Sequence, residues 1–309
     1  MLILRRPARH LSPCVLTIGN FDGLHLGHRA MLDRLTQRGR ELGLPTAVMT
    51  FEPHPRELFL PDQAPARLTS LREKLRLLDA CEVDRVCLCH FTPTLAALAA
   101  EEFIDRLLFH GLRARHVLIG DDFRFGRGRV GDFAMLAAAG SRLGFGVEAM
   151  HTIEIDGERV SSSAVREALA RGALEHAGRM LGRPYEIAGR VVHGEKTGRR
   201  LGFPTANVQL KRRRVALSGV FAVTVSGIDK RHLPGVANLG VRPTFGGSPQ
   251  PVLEVHLFDF DREIYGAHLA VHFLHKLRDE RRFASPEELA AQIAADVAAT
   301  RDWFAGNRT

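Results

Sequence analysis

The first half of the chain alternates short apolar runs with amphipathic stretches. "CVLTIGNF", residues 14–21, is an apolar run of strand length. Apolar residues then recur at helical spacing over 28–42, and Gly43 supplies a stop signal. The beat repeats. "PTAVMTF" (45–51), "DRVCLCHF" (84–91), "RHVLIG" (115–120) and "FGVEAM" (145–150) predict strands. Between them the stretch opened by Ser70 and Glu73, a capping-box pair, predicts a helix carrying Leu75, Leu77 and Leu78. "AEEFIDRLLFH" (100–110) and "GDFAMLAAAGSRLG" (131–144) predict two more. Near-continuous apolar strands between helices predict a Rossmann-like parallel sheet covered on both faces. In such sheets ligands bind beyond the carboxyl ends of the strands.

The texture then changes. Asp156-Gly157 signals a hairpin. "SSSAVREALARG" and "ALEHAGRMLG" predict two helices. From Pro184 onward, apolar runs are broken by Gly and Pro: "YEIAGRVVHG", "GVFAVTVSG", "PGVANLGV", "PVLEVHLFDF" and "AHLAVHFLHKL". That is an all-β pattern of small-barrel type. A final helix opens at Ser285-Pro286 with Glu288 completing a capping box. The expected organisation is an α/β domain over 1–183 and a β domain with a C-terminal helix over 184–309.

Composition narrows the class. With 309 residues, 45% hydrophobic and 25% charged, the chain can bury two cores. No apolar run approaches the ~18 residues that span a bilayer, so no membrane role is expected. "MLILRRPARH" lacks the apolar core of a signal peptide, and a cytoplasmic home is expected. Cys14, Cys81, Cys87 and Cys89 form no C-x-x-C pair and read as reduced thiols. The net charge of +8 suits polyanions, ATP and nucleic acid alike. The one dense basic run, "KRRR" at 211–214, reads as a solvated loop. Nucleic acid is therefore not the expected partner, and nothing in the sequence sets the oligomeric state.

Several constellations carry chemistry. In "GNFDGLHLGH" (19–28), His25 and His28 stand three apart after a predicted strand. They read as a metal pair, as two polar residues opening a helix, or as phosphate ligands. Helical zinc pairs are usually four apart with a glutamate between, which this stretch lacks. Glycines, a helix N-terminus and two imidazoles suit phosphate better. Ser161, Ser162 and Ser163 offer a helix cap, and Arg166 one turn in would stand where an anion is favoured. Asp122, Phe123 and Phe125 offer one polar group and two aromatic faces, suited to a planar ring, or else two core phenylalanines. "GRGRVG" (126–131) matches a dinucleotide-binding glycine pattern, but a gap separates it from its strand. "HGEKTG" (193–198) imitates a Walker loop with Glu195 in a glycine position. Thr205 and Asn207 are hard oxygen donors suited to Mg²⁺ beside phosphate. Strand alternation puts Glu254 and His256 on the face opposite Leu253, Val255 and Leu257.

Taken in order, these segments resemble a known family. "GNFDGLHLGH" is similar to the H-x-G-H motif of nucleotidylyltransferases. "TFEPHPREL" (50–58), "IGDDFRFGRGRVGDF" (119–133) and "VSSSAVREAL" (160–169) resemble further segments of the bacterial riboflavin kinase/FMN adenylyltransferase family. "GRRLGFPTANV" (198–208), "PVLEVHLFDF" (251–260) and "HKLRDERRF" (275–283) resemble its kinase half. The resemblance spans essentially the whole chain. It implies a nucleotidylyltransferase α/β fold followed by a six-stranded barrel with a C-terminal helix. It implies small-molecule substrates: riboflavin is phosphorylated by ATP to FMN, and FMN is adenylylated by ATP to FAD, with Mg²⁺ required. Residue by residue, it assigns catalysis to His25, His28 and Glu254. It assigns ATP to Gly19, Phe21, Ser162, Ser163 and Arg166, and flavin to His54, Asp122, Phe123, Phe125 and Arg278. Metal binding falls to Thr205 and Asn207. Ser163 replaces the family's threonine and keeps the hydroxyl. For Arg278 the alternative is a solvated charge run. The rival function is a flavin- and nucleotide-binding regulator with one or both sites inactive.

Overall fold

The computed structural model describes residues 1–7, 11–194, 197–244 and 247–307. Glu195 and Lys196 of the Walker-like run lie outside the described residues. By its contacts the chain forms two units, residues 1–65 with 71–161, and residues 66–70 with 162–309.

The first unit is built on strands β1 (Leu2–Leu4), β2 (Cys14–Ile18), β3 (Thr46–Glu52), β4 (Arg85–His90), β5 (Ala114–Gly120) and β6 (Gly146–Met150). They form one parallel sheet in the order β1-β4-β3-β2-β5-β6. Its helices are α1 (Leu26–Leu42), α2 (Pro55–Phe59), α3 (Leu71–Asp79), α4 (Pro93–Ala96), α5 (Ala100–Glu102) and α6 (Phe133–Leu143). Successive strand residues bury on opposite faces. Leu16, Met49, Cys87 and Val117 pack into one cluster, while Val15, Val48, Val86 and Leu118 pack into the other. That two-sided burial is why the strands read as continuous apolar runs. Gly43 closes α1 with a left-handed φ of 63°, as its position predicts. Asp156 and Gly157, both at positive φ, turn β7 (Glu154–Ile155) into β8 (Glu158–Arg159). One helix departs from expectation. After α5 the run becomes a π-helix, Phe103–Phe109, with the His110 amide bonded to the Asp105 carbonyl. The glycine run 126–131 lies in a loop, because β5 ends at Gly120 and α6 starts at Phe133.

In the second unit, α7 (Ser162–Ala170) and α8 (Leu174–Leu181) precede the barrel. Its strands are β9 (Tyr185–Val192), β10 (Ala206–Gln209), β11 (Gly219–Ser226), β12 (Leu233–Thr244), β13 (Gly247–Leu257) and β14 (His268–Arg278). They close in the order β10-β13-β12-β11-β14-β9, with every neighbouring pair antiparallel. The short helix α9 (Thr197–Arg200) lies between β9 and β10. Ile187, Phe221, Val223, Leu239, Leu253, Val255 and Phe273 are buried barrel residues. The last helix, α10 (Pro286–Gly306), is capped by the Ser285 hydroxyl, which accepts from the Glu288 amide at 3.2 Å. Val297 and Phe304 of α10 pack outside the barrel on Val220, Val236 and Phe258.

The division by contacts falls at Ser161/Ser162, ahead of the composition change near Pro184. The reason is packing: α7 lies on α8, and α8 lies on β9 and β14. The basic run is not all solvated. Arg212 is 7% exposed, and its Nη1 donates to the Leu68 carbonyl at 3.0 Å and to the Tyr185 hydroxyl at 3.1 Å. Those acceptors carry the buried guanidinium.

Candidate active sites

The β2 carboxyl end leads into a strained loop. Phe21 and Leu24 hold left-handed φ values of 48° and 44°, and Gly23 holds 83°. Each non-glycine residue in that region costs about 1–3 kcal/mol. Both side chains are 1% exposed, and full burial returns about 2 kcal/mol apiece. The core therefore imposes the turn that delivers His25 to the start of α1.

His25 is the N-cap of α1, its Nδ1 accepting the His28 amide at 3.4 Å. In the neutral ring the proton then sits on Nε2. The His25 and His28 rings stack, centroids 3.7 Å apart and planes 21° apart. Phe21 packs on His28 with centroids 5.0 Å apart. His28 Nδ1 is buried and has no hydrogen-bond partner among the described residues. Burial, then the neighbouring His25 and Lys74, hold the His28 imidazole well below its ordinary pKa, so the ring is neutral. Gly27 leaves room for this stack, since a Cβ there would stand 3.2 Å from the His25 ring.

A cavity of about 230 Å³ opens at the ends of β2 and β5, where the strand order reverses. Gly19, Phe21, His25 and His28 line one side, and Asp122, Phe123 and Arg159 line another. Asp122 pairs with Arg159 at 2.5 Å. Phe123 and Phe125 stack with centroids 5.7 Å apart, but they divide in role. Phe125 is 5% exposed and packs in the core against Phe103. His54 does not line this cavity. It caps α2, accepting from the Arg56 amide at 3.2 Å in a reciprocal box with Glu57.

Ser162 and Ser163 open α7 in the second unit. Arg166, one turn later, donates from Nε to the Ala66 carbonyl at 2.7 Å.

On the barrel, a cavity of about 270 Å³ is lined by Gly194, Arg199, Thr205, Asn207, Asp261 and Tyr265, among others. A Cβ at Gly194 would collide with the Asn207 carboxamide, so that glycine makes space for it. Asn207 stands opposite Glu254 in the β10–β13 ladder. Leu253, Val255 and Leu257 are buried while Glu254 and His256 are half-buried on the outer face, as alternation predicts. His256 fastens the turn before β10, its Nδ1 donating to the Pro204 carbonyl at 2.8 Å. Arg278 is held in a fork by Asp296 of α10, at 2.9 and 2.7 Å. The described residues contain no cluster of three His, Cys, Asp or Glu side chains able to hold a metal. Thr205 and Asn207 alone would leave a cation to be completed by water and phosphate oxygens, which suits Mg²⁺ carried on a nucleotide.

Residues 8–164 match the family model described as FAD synthetase, and residues 181–304 match riboflavin kinase. A Pseudomonas fluorescens bifunctional riboflavin kinase/FMN adenylyltransferase is 55% identical over 288 residues, 93% of this chain and 92% of its own. The chain belongs to the bifunctional riboflavin kinase/FMN adenylyltransferase family. The Escherichia coli K12 member is 53% identical over 94% of this chain and 93% of its own. A crystal structure described as a macrolide-efflux protein from Streptococcus pneumoniae shares the fold. It is 30% identical with a TM-score of 0.81, covering 98% of this chain and 99% of that one. No described helix is long and apolar enough to cross a membrane.

Four further residues escape sequence reasoning. Arg159 faces the first cavity. Lys74, 5% exposed, bears on the His28 charge. Asn238 stands beside Glu254 across the β12–β13 ladder. Glu280 bonds to Asn238. A lysine inside an amphipathic helix or a glutamate inside a charge run carries no local signal of such placement.

Proposed function

We propose that the chain makes FAD in two steps. In the barrel, the γ-phosphoryl of ATP passes to the ribityl 5′-hydroxyl of riboflavin, giving FMN and ADP. Glu254 accepts the hydroxyl proton as the new P–O bond forms. Thr205 and Asn207 supply oxygen ligands to Mg²⁺. The metal neutralises phosphate charge when bound. In the α/β unit, a phosphate oxygen of FMN attacks the α-phosphorus of a second ATP. The bond to the bridging oxygen breaks, and pyrophosphate leaves. The nucleophile is already an anion, so a general base is not required. His25 Nε2–H and a neutral His28 donate to phosphate oxygens as negative charge builds. Gly19 and Phe21 shape the phosphate side, while Ser162, Ser163 and Arg166 are assigned to ATP by their motif. Asp122 and Phe123 take the flavin side. Arg278, tied to Asp296, shapes the kinase's flavin side through its loop. The functional halves meet near residue 183, and the four free cysteines suit a reducing cytoplasm.

The observation that carries this reading is the stacked His25 and His28 pair lining the strand-end cavity at the start of α1, where negative charge is favoured. Incubation with riboflavin, ATP and Mg²⁺, followed by separation of the flavins, should yield both FMN and FAD. A folded protein forming neither would refute the proposal.

A further inference from the structure

The outer face of the barrel carries a row of polar groups of which the two steps above use only part. Across neighbouring strands, Asn207 pairs with Glu254 and Glu254 pairs with Asn238. Residues directly opposite in an antiparallel ladder share a face, with Cβ atoms about 4.5–5.5 Å apart. Ala237 and Leu239 are buried, so Asn238 faces outward with Glu254. Two residues along the same outward face is Gly240, which is nevertheless buried. What covers it is the Glu280 carboxylate, which a Cβ at Gly240 would strike. Glu280 accepts from the Asn238 carboxamide and from the Val241 amide. An amide gripped through one N–H has its plane set, and with it the direction of its remaining N–H and carbonyl. That amide stands beside Glu254.

We propose that Glu280 is a positioning residue of the kinase half: seated on Gly240, it sets the Asn238 amide, which in turn orients the Glu254 carboxylate. The inference rests on Glu254 as the base. Packing on β12 raises the Glu280 carboxyl above its ordinary value, against the pull of Asn238, Val241 and Arg278. The side chain as a whole is exposed, but its carboxylate end rests against Gly240.

Gly240→Ala offers a test that leaves Glu280 in the chain. The new methyl meets only the far end of a flexible side chain, so the strand tolerates it while the carboxylate is displaced. FMN formation is measured for Gly240→Ala, Glu280→Ala, Glu280→Gln and Glu254→Gln, with riboflavin affinity read from flavin fluorescence. Both alanine variants should lower kcat about tenfold, a fraction of what general-base catalysis supplies, with riboflavin affinity within twofold. Glu280→Gln should recover most of the rate, since its amide oxygen still accepts from Asn238. Neither alanine should add to the loss in a Glu254→Gln background. Unchanged kcat in the alanine variants would overturn the inference. So would weakened riboflavin binding at full kcat, or losses that multiply with Glu254→Gln. Full activity in Glu254→Gln would remove the base assignment itself, a different failure from full activity in Glu280→Ala. Retained riboflavin binding shows that the variants are folded.

Discussion

Glu148 on β6 is the anchor that holds α1 against the sheet, and its removal should be felt at the histidines. Its carboxylate accepts from Arg34 Nε at 2.5 Å and Arg38 Nε at 2.8 Å, with His116 Nε2 at 3.4 Å. Burial alone would raise the carboxyl, but the two guanidiniums overcome it and hold the pKa at about 2 instead of 4.5. At 1.36 kcal/mol per pKa unit that difference sets a ceiling of about 3 kcal/mol. The side chain keeps 21% of its surface in water, and screening reduces the contribution to about 1–2 kcal/mol. A depressed carboxyl stabilises the fold above its unfolded value near 4.5 and loses that contribution as pH falls toward 2. Glu148→Gln should therefore cost about 1–2 kcal/mol in urea denaturation at pH 7. The gap from the parent protein should begin to close below about pH 4.5. Because His25 and His28 stand at the start of α1, FAD formation should drop while FMN formation holds. A gap independent of pH, or no gap at pH 7, would refute the electrostatic account of this clamp.

Gly27→Ala should lower FAD formation about three- to tenfold by pressing on the His25 ring, within the range expected of small misplacements in a catalytic constellation. Alanine favours a helix by about 1 kcal/mol over glycine, so the melting temperature should not fall. A slower yet equally stable enzyme is the checkable signature. Asp296→Ala should destabilise the barrel unit by about 2–3 kcal/mol, read by denaturation. It leaves the Arg278 guanidinium, 22% exposed, without its carboxylate. Retained stability there would mean that Arg278 finds a substitute acceptor.

Much of this architecture is legible in local pattern. Gly43, Asp156-Gly157 and Ser285 mark their turns and cap because each satisfies a backbone need set by its immediate neighbours. The alternation of β13 places Glu254 outward because a strand has a period of two. What escapes depends on partners distant in sequence. Arg212 is buried because the Leu68 carbonyl, 144 residues away in sequence, receives it. Phe123 and Phe125 lie two apart in an irregular loop, where no period divides core from cavity. The strand β1 is only three residues long and forms by pairing with Arg85–Cys87 at the sheet edge. Glu280 reads as one more charge in "RDERRF", and only the fold brings it to Gly240.

The division of labour between the two units is tested most directly by crossing two variants with two substrates. Glu254→Ala and His28→Ala are each supplied with riboflavin or with FMN, plus ATP and Mg²⁺, and the flavins are separated over time. Glu254→Ala should make no FMN from riboflavin yet convert supplied FMN to FAD. His28→Ala should accumulate FMN and form no FAD from either substrate. Loss of both activities in either variant, with the fold intact, would contradict the account.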